Sequence, residues 1–299
     1  MGCLLSHFQG QLQNFQPGHP FFVGVDSDGC VFDTMEIKQK ECFCPVIIRF
    51  WGLQPIAKYV RETVEFVNLY SKWRGTNRFL ALLKLFDYLS ARPEVQAKGV
   101  ELPRLRSLRQ WAASGAPLGN AGLQAEVTRT ADPDLLKVLE WSKEVNEAVA
   151  AIAVGILPFA YVRECLAQLT QQADIICVSQ TPAEALEREW AANDLAPYAA
   201  IIAGQEHGSK QEQLDLTAGG KYPADHVLMV GDALGDLQAA RAAGALFYPI
   251  NPGKEDVSWQ RFYQEAMPKF FNQTYAGSYE AKLIAAFRTC LPEEPPWQS

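Results

Sequence analysis

The chain has 299 residues, 48% of them hydrophobic and 20% charged, an ordinary globular composition with room for one large or two modest domains. Its formal net charge of −7 argues against general binding to nucleic acid or to an anionic membrane surface. Seven cysteines follow no zinc or secreted-disulfide spacing; those in apolar runs, such as Cys177, read as reduced core thiols of a cytoplasmic protein.

At the start, Met1-Gly-Cys-Leu-Leu-Ser6 matches an N-myristoylation pattern with an acylatable Cys3, a match short enough to arise often by chance. No apolar run long enough to span a membrane follows it anywhere. Phe21 to Val25 is a short apolar run that reads as a buried strand. It ends in Asp26-Ser-Asp28-Gly29. On an extended chain side chains at i and i+2 share a face, so these two carboxylates repel unless a cation or a shared proton lies between them.

Residues 35 to about 156 carry helix patterns and little alternation. Helices are expected at 54–71, from a cap at Thr76 or Asn77 to about 90, and at 103–114, 121–128 and 134–151, the last opened by Asp132-Pro133. The pattern then changes. Helices at 158–172, 182–193, 210–218 and 236–243 alternate with strands at 174–178, 199–203, 226–230 and 245–250. Such alternation indicates an α/β doubly wound parallel sheet, Rossmann-like, with an all-helical insert. The expected domains are 1–34 plus 158–299 for the α/β core and 35–157 for the helical insert, with a frayed tail from Pro292.

Ligands of doubly wound sheets sit at the carboxyl ends of the strands. The residues expected there are Asp26 and Asp28 after the first strand, Ser179 with Gln180 and Thr181 after the second, and Gly231-Asp232-Ala-Leu-Gly-Asp236 after the fourth. Gly208-Ser-Lys210 opens a helix at the same edge. Carboxylate oxygens are the hard donors that Mg2+ requires, and a hydroxyl with an ammonium suits the equatorial oxygens of a transferring phosphoryl group. Singly, each residue has an ordinary explanation as a turn, a solvated lysine or a helix cap. Their order and placement together argue for one constellation.

With these four motifs in order, the chain resembles the haloacid dehalogenase superfamily of phosphotransferases, and the helical insert is similar to that family's C1-type cap. The resemblance implies Asp26 as nucleophile and metal ligand, and Asp28 as general acid and base whose main-chain carbonyl also faces Mg2+. It implies Ser179 and Lys210 as phosphoryl-binding catalytic residues, Asp232 as metal ligand, and Asp236 behind the metal or beside Lys210. The dehalogenating members lack the second aspartate of the first motif, so Asp28 points to phosphoryl transfer.

Trp73-Arg-Gly-Thr-Asn-Arg78, between two expected helices, is similar to the substrate loop of β-phosphoglucomutase-like caps. On that likeness Arg78, assisted by Arg74 or Asn77, would fork onto a distal phosphate or carboxylate; the competing reading is a solvated interhelix arginine. Gln180 is a further candidate for the substrate. Trp51, Trp73, Trp111 and Trp141 read as core of the insert. The expected activity is a Mg2+-dependent phosphatase of a small phosphorylated metabolite, of the sugar phosphate or phosphoglycolate type, acting as a monomer or weak homodimer. A phosphomutase is the alternative within the enzyme class, and a catalytically idle binding module the alternative outside it.

Overall fold

The computed structural model describes residues 2–298, with side chains from Phe8 onward. The Met1–Ser6 lipidation pattern therefore lies outside the described side chains. The chain divides into two compact units, residues 1–34 with 155–291, and residues 35–154 with 292–299.

The first unit is an α/β layer structure built on five parallel strands: β1 (Phe21–Val25), β2 (Ala173–Val178), β3 (Ile201–Ala203), β4 (Val227–Gly231) and β5 (Leu246–Pro249). Their order across the sheet is β3-β2-β1-β4-β5. After β2 and β3 are laid on one side of β1, β4 and β5 are added on the other, so the winding reverses at β1, where a crevice opens at the carboxyl edge. β1 and β4 are buried throughout, which is why they read as unbroken apolar runs rather than alternating ones. Gly24 in the middle of β1 has a steric cause, because a Cβ there would meet Leu214 Cδ2 at 2.9 Å and Val178 Cγ2 at 3.1 Å.

The helix starts follow local chemistry. Ser209 and Glu212 form a reciprocal capping box at the head of the Lys210–Ala218 helix. In the second unit, Asn77 caps Arg78–Ala91 by accepting from Phe79 N, and Asp132 caps Pro133–Ile152 by accepting from Asp134 N and Leu135 N. The expected 54–71 helix is instead a 3-10 turn, Gln54–Ile56, leading into Ala57–Asn68. Ahead of it, Thr34–Ile37, a π-helical Lys38–Phe43 and Cys44–Phe50 fill a stretch for which the sequence suggests no element. The Cys44 amide reaches back five residues to Gln39 O just before Pro45, whose missing N–H removes one ordinary helical donor.

The helical unit packs around Val60, Phe79, Leu82, Phe86, Trp111, Leu135 and Trp141, with Trp51 partly buried against them. A smaller cluster of Phe66, Val67, Ala81 and Tyr88 carries Trp73. The tail does not fray, nor does it lie with the α/β unit. Pro292 O accepts from Lys72 N at 3.1 Å, Glu293 O accepts from Tyr88 Oη at 3.1 Å, and Trp297 packs edge-on against Phe66. Trp297 and Tyr59 also lie over the Arg92 guanidinium, at 4.2 and 4.7 Å from its carbon, so aromatic stacking anchors a segment with no helical pattern of its own.

Candidate active site

The first strand delivers Asp26 into a loop held from several sides. The Asp26 amide donates to Val230 O at 3.0 Å, and Ser27 O accepts from Val31 N and Phe32 N. Two buried tryptophans fasten the loop from flanking elements: Trp190 Nε1 donates to Ser27 Oγ at 3.0 Å and Trp259 Nε1 to Cys30 O at 2.7 Å. The turn at Gly29 runs at φ 73°, a conformation that suits glycine.

Asp26, Asp232 and Asp236 are all buried. One carboxylate oxygen from each lies within 4.8 Å of the others. Lys210 Nζ bridges two of them, 2.8 Å from Asp26 Oδ2 and 2.6 Å from Asp236 Oδ1. Asp236 Oδ2 accepts from the amides of Asp232 and Ala233, at 3.1 and 2.9 Å. Gly231 makes this possible, since a Cβ there would stand 2.6 Å from that same oxygen. Asp236 is thus spent on the lysine and on the turn after β4, while Asp26 shares the lysine through Oδ2 and accepts from Ser27 N at 2.8 Å through Oδ1.

Burial is the largest influence on Asp26 and pushes its carboxyl well above the usual carboxylate range; Lys210 opposes this, and Asp236 and Asp232 add to it. Burial pulls Lys210 down, but Asp236 and Asp26 more than reverse it and hold the ammonium charged. Among the described residues three carboxylates face one ammonium, so this group is short of positive charge. A hard divalent cation such as Mg2+ fits both the donor type and that shortfall. The two nearby thiols, Cys30 and Cys177, are pushed up by burial first and by the carboxylates second, which leaves them as neutral packing groups.

Asp28 sits differently. Its Oδ1 accepts from Thr34 Oγ1 at 2.5 Å and its Oδ2 from Thr181 Oγ1 at 2.6 Å, so two hydroxyls hold the carboxylate outside the Asp26–Asp232–Asp236 group. Ser179 is buried at the end of β2, with its amide on Ala203 O and its Oγ accepting from Thr181 N at 3.2 Å. Gln180 turns its amide nitrogen onto Ser179 O and Gly208 O, at 3.2 and 2.9 Å, a backbone role where a substrate donor was expected.

The candidates from the helical unit are engaged within it. Arg74 is buried and donates to Leu69 O at 3.0 Å. Asn77 is a helix cap that also donates to Leu118 O at 2.9 Å. Arg78 donates to Ser142 Oγ at 3.1 Å and Asn146 Oδ1 at 2.6 Å and lies over the Phe43 ring. Arg78 is thus half-buried and bonded within its own unit, and burial lowers its pKa. Sequence reasoning assigned no role to Thr34, Thr181 or Gln213. Thr181 had a local signal, standing two residues beyond Ser179 at a strand end.

No family profile matches the sequence, and no curated protein sequence matches it. Among solved structures, a Lactobacillus delbrueckii subsp. bulgaricus protein with a provisional phosphoglycolate phosphatase assignment shares 16% identity at a TM-score of 0.49, over 82% of this chain and 92% of that one. A haloacid dehalogenase-like family hydrolase from Xanthomonas campestris shares 13% at 0.44, over 87% and 96%. A hydrolase of the haloacid dehalogenase-like family from Streptococcus pneumoniae also shares 13% at 0.44, over 89% and 98%. With these scores below 0.5, the reading of the site rests on its own geometry.

Proposed function

We propose that this chain is a Mg2+-dependent phosphatase of the haloacid dehalogenase type, cleaving a small phosphorylated metabolite through an aspartyl-phosphate at Asp26. The observation that carries the reading is the pairing of Asp26 with Lys210 at the carboxyl edge of β1, backed by Asp232 and Asp236 in a site short of positive charge. Asp26 and Asp232 would hold the ion, with Asp236 behind them. When bound, Mg2+ neutralises charge on the phosphoryl oxygens and on the attacking carboxylate.

In the first half-reaction an Asp26 carboxylate oxygen attacks phosphorus, the bond from phosphorus to the leaving oxygen breaks, and protonated Asp28 delivers its proton to that oxygen. Lys210 and the Ser179 hydroxyl bear the spreading negative charge on the equatorial oxygens. In the second, Asp28 takes a proton from water, the water oxygen attacks phosphorus, and the acyl-phosphate bond breaks to return the Asp26 carboxylate and release phosphate. The two threonine hydroxyls on Asp28 fix the orientation of its carboxyl group for both steps.

The test is phosphate release from a panel of phosphorylated metabolites and p-nitrophenyl phosphate, with wild type and Asp26→Asn compared, each with Mg2+ and with chelator. Turnover by the wild type alone, abolished by chelator, is the expected result. Undiminished turnover by Asp26→Asn would remove the covalent step, and no release from any panel member would remove the phosphatase reading.

A further inference from the structure

Gln213 has no place in the chemistry above, yet it is fully buried one turn into the helix that Lys210 opens. Its side-chain nitrogen lies 3.0 Å from Ser179 O, 2.9 Å from Gly204 O and 3.0 Å from Gly208 O. A primary amide has two hydrogens, so the three carbonyls share them. These carbonyls belong to three different pieces of backbone: the residue following β2, the residue following β3, and the loop two residues ahead of Lys210. Among the described residues Gln213 Oε1 meets no hydrogen-bond donor, so the contacts that hold the side chain run through its nitrogen.

We propose that Gln213 is a positioning residue that sets the spacing between the Ser179 hydroxyl and the Lys210 ammonium, and so the grip on the transferring phosphoryl group; this rests on the phosphatase reading. Each glycine it binds has a further side-chain contact, Gly204 N donating to His207 Nδ1 at 3.1 Å and Gly208 O accepting from Gln180 Nε2 at 2.9 Å. Gly208 runs at φ 103°, and a Cβ on Gly204 would collide with the Ala183 amide at 2.5 Å. Gln180 makes a parallel link between Ser179 O and Gly208 O, but it is exposed, and water competes for its hydrogens. The buried amide is the link that water does not contest. A shift of about 1 Å in a group that contacts the reacting phosphoryl costs on the order of 100-fold in rate.

The experiment compares Gln213→Leu, Gln213→Asn and Thr217→Val in the full chain. Thr217 is a buried control on the same helix; its hydroxyl bonds to Gln213 O and Leu214 O, within its own helix. Hydrogen exchange at 179–181 and 204–210 and steady-state kinetics on p-nitrophenyl phosphate are the readouts. Gln213→Leu should speed exchange in both segments and lower kcat by about 100-fold with KM nearly unchanged, the signature of an interaction made in the transition state. Gln213→Asn keeps the amide but shortens its reach, so a smaller loss of kcat of the same kind is expected, and this variant decides if the leucine variant does not fold. Unchanged exchange in the two segments, an equal loss of kcat in Thr217→Val, or a rise in KM with kcat intact would each overturn the assignment. A wild type that releases no phosphate defeats the phosphatase reading, while the exchange data still decide whether Gln213 couples the two segments.

Discussion

Replacing Lys210 with methionine removes the ammonium that bridges Asp26 and Asp236 in a group of three buried carboxylates. At 2.8 and 2.6 Å from Asp26 and Asp236, Lys210 gains roughly 6 kcal/mol of Coulomb attraction from each at an effective dielectric of about 20. Much of this offsets the cost of taking the ions out of water. Breaking a buried pair by removing one partner typically costs about 3–5 kcal/mol, and that is the expected loss for Lys210→Met in chelator. A proton limits the damage, since burial already pushes the Asp26 carboxyl upward and the neutral acid can stand in for the missing cation. Native-state hydrogen exchange at the β1 and β4 amides reports this unit by itself and gives the loss directly. Adding Mg2+ should then stabilise the variant more than the wild type, because Lys210 no longer competes for Asp26; an ion at 100 times its Kd contributes about 2.7 kcal/mol. A loss below about 1 kcal/mol, or no response to Mg2+ in either protein, would refute the view of this cluster as a cation site.

Three other outcomes follow from the contacts. Arg78→Ala should lower the stability of the helical unit by about 1–3 kcal/mol, because Ser142 and Asn146 lose their donor; an unchanged melting temperature would return Arg78 to the solvated state. Asp174 accepts from Gly18 N, His19 N, His19 Nδ1 and Tyr222 Oη, and although burial is the largest single influence and raises its pKa, these bonds together lower it. Its stabilising effect is therefore full above the unfolded value of about 3.9 and lost as pH falls through the lower folded value. Asp174→Asn should melt below the wild type at pH 7, with the gap narrowing below about pH 4; a gap that stays constant down to pH 2 would show that charge is not involved. Trp297→Ala should cost the helical unit about 1–2 kcal/mol from lost stacking on Phe66 and Arg92, read as faster amide exchange in Arg78–Ala91, and unaltered exchange there would contradict the packing.

The parts of this architecture that the sequence discloses are those with local causes. β1 and β4 are apolar because both faces are covered, and Asp26 and Asp232 stand where such runs stop, so strand and carboxylate are read together. Asn77, Asp132 and Ser209 cap the helices that follow them within three residues. The parts that stay hidden depend on distant partners. Arg78 finds Ser142 and Asn146 sixty-odd residues away, and nothing beside Arg78 separates that fate from a solvated one. Gln213 is a polar residue on a helix whose partners lie in two other loops. The 251–291 stretch, for which the sequence suggests no element, holds Glu255–Arg261, a π-helical Phe262–Ala266, Met267–Phe271 and Ser278–Cys290. Its aromatic-rich run and Pro268 break the simple 3.6-residue pattern, and burial of Trp259, Phe262 and Phe270 decides the structure there.

The return of the C-terminal segment to the helical unit has a consequence for synthesis. Residues 35–154 leave the ribosome well before residues 292–298 exist, and domains generally begin folding as they emerge. In that interval Arg92 is stacked by Tyr59 on one side and lacks Trp297 on the other, and Lys72 N and Tyr88 Oη lack the carbonyls of Pro292 and Glu293. The nascent helical unit is therefore held short of its final packing until residues 292–298 clear the exit. A chain halted before residue 292 carries an unfinished helical unit however complete its α/β unit is.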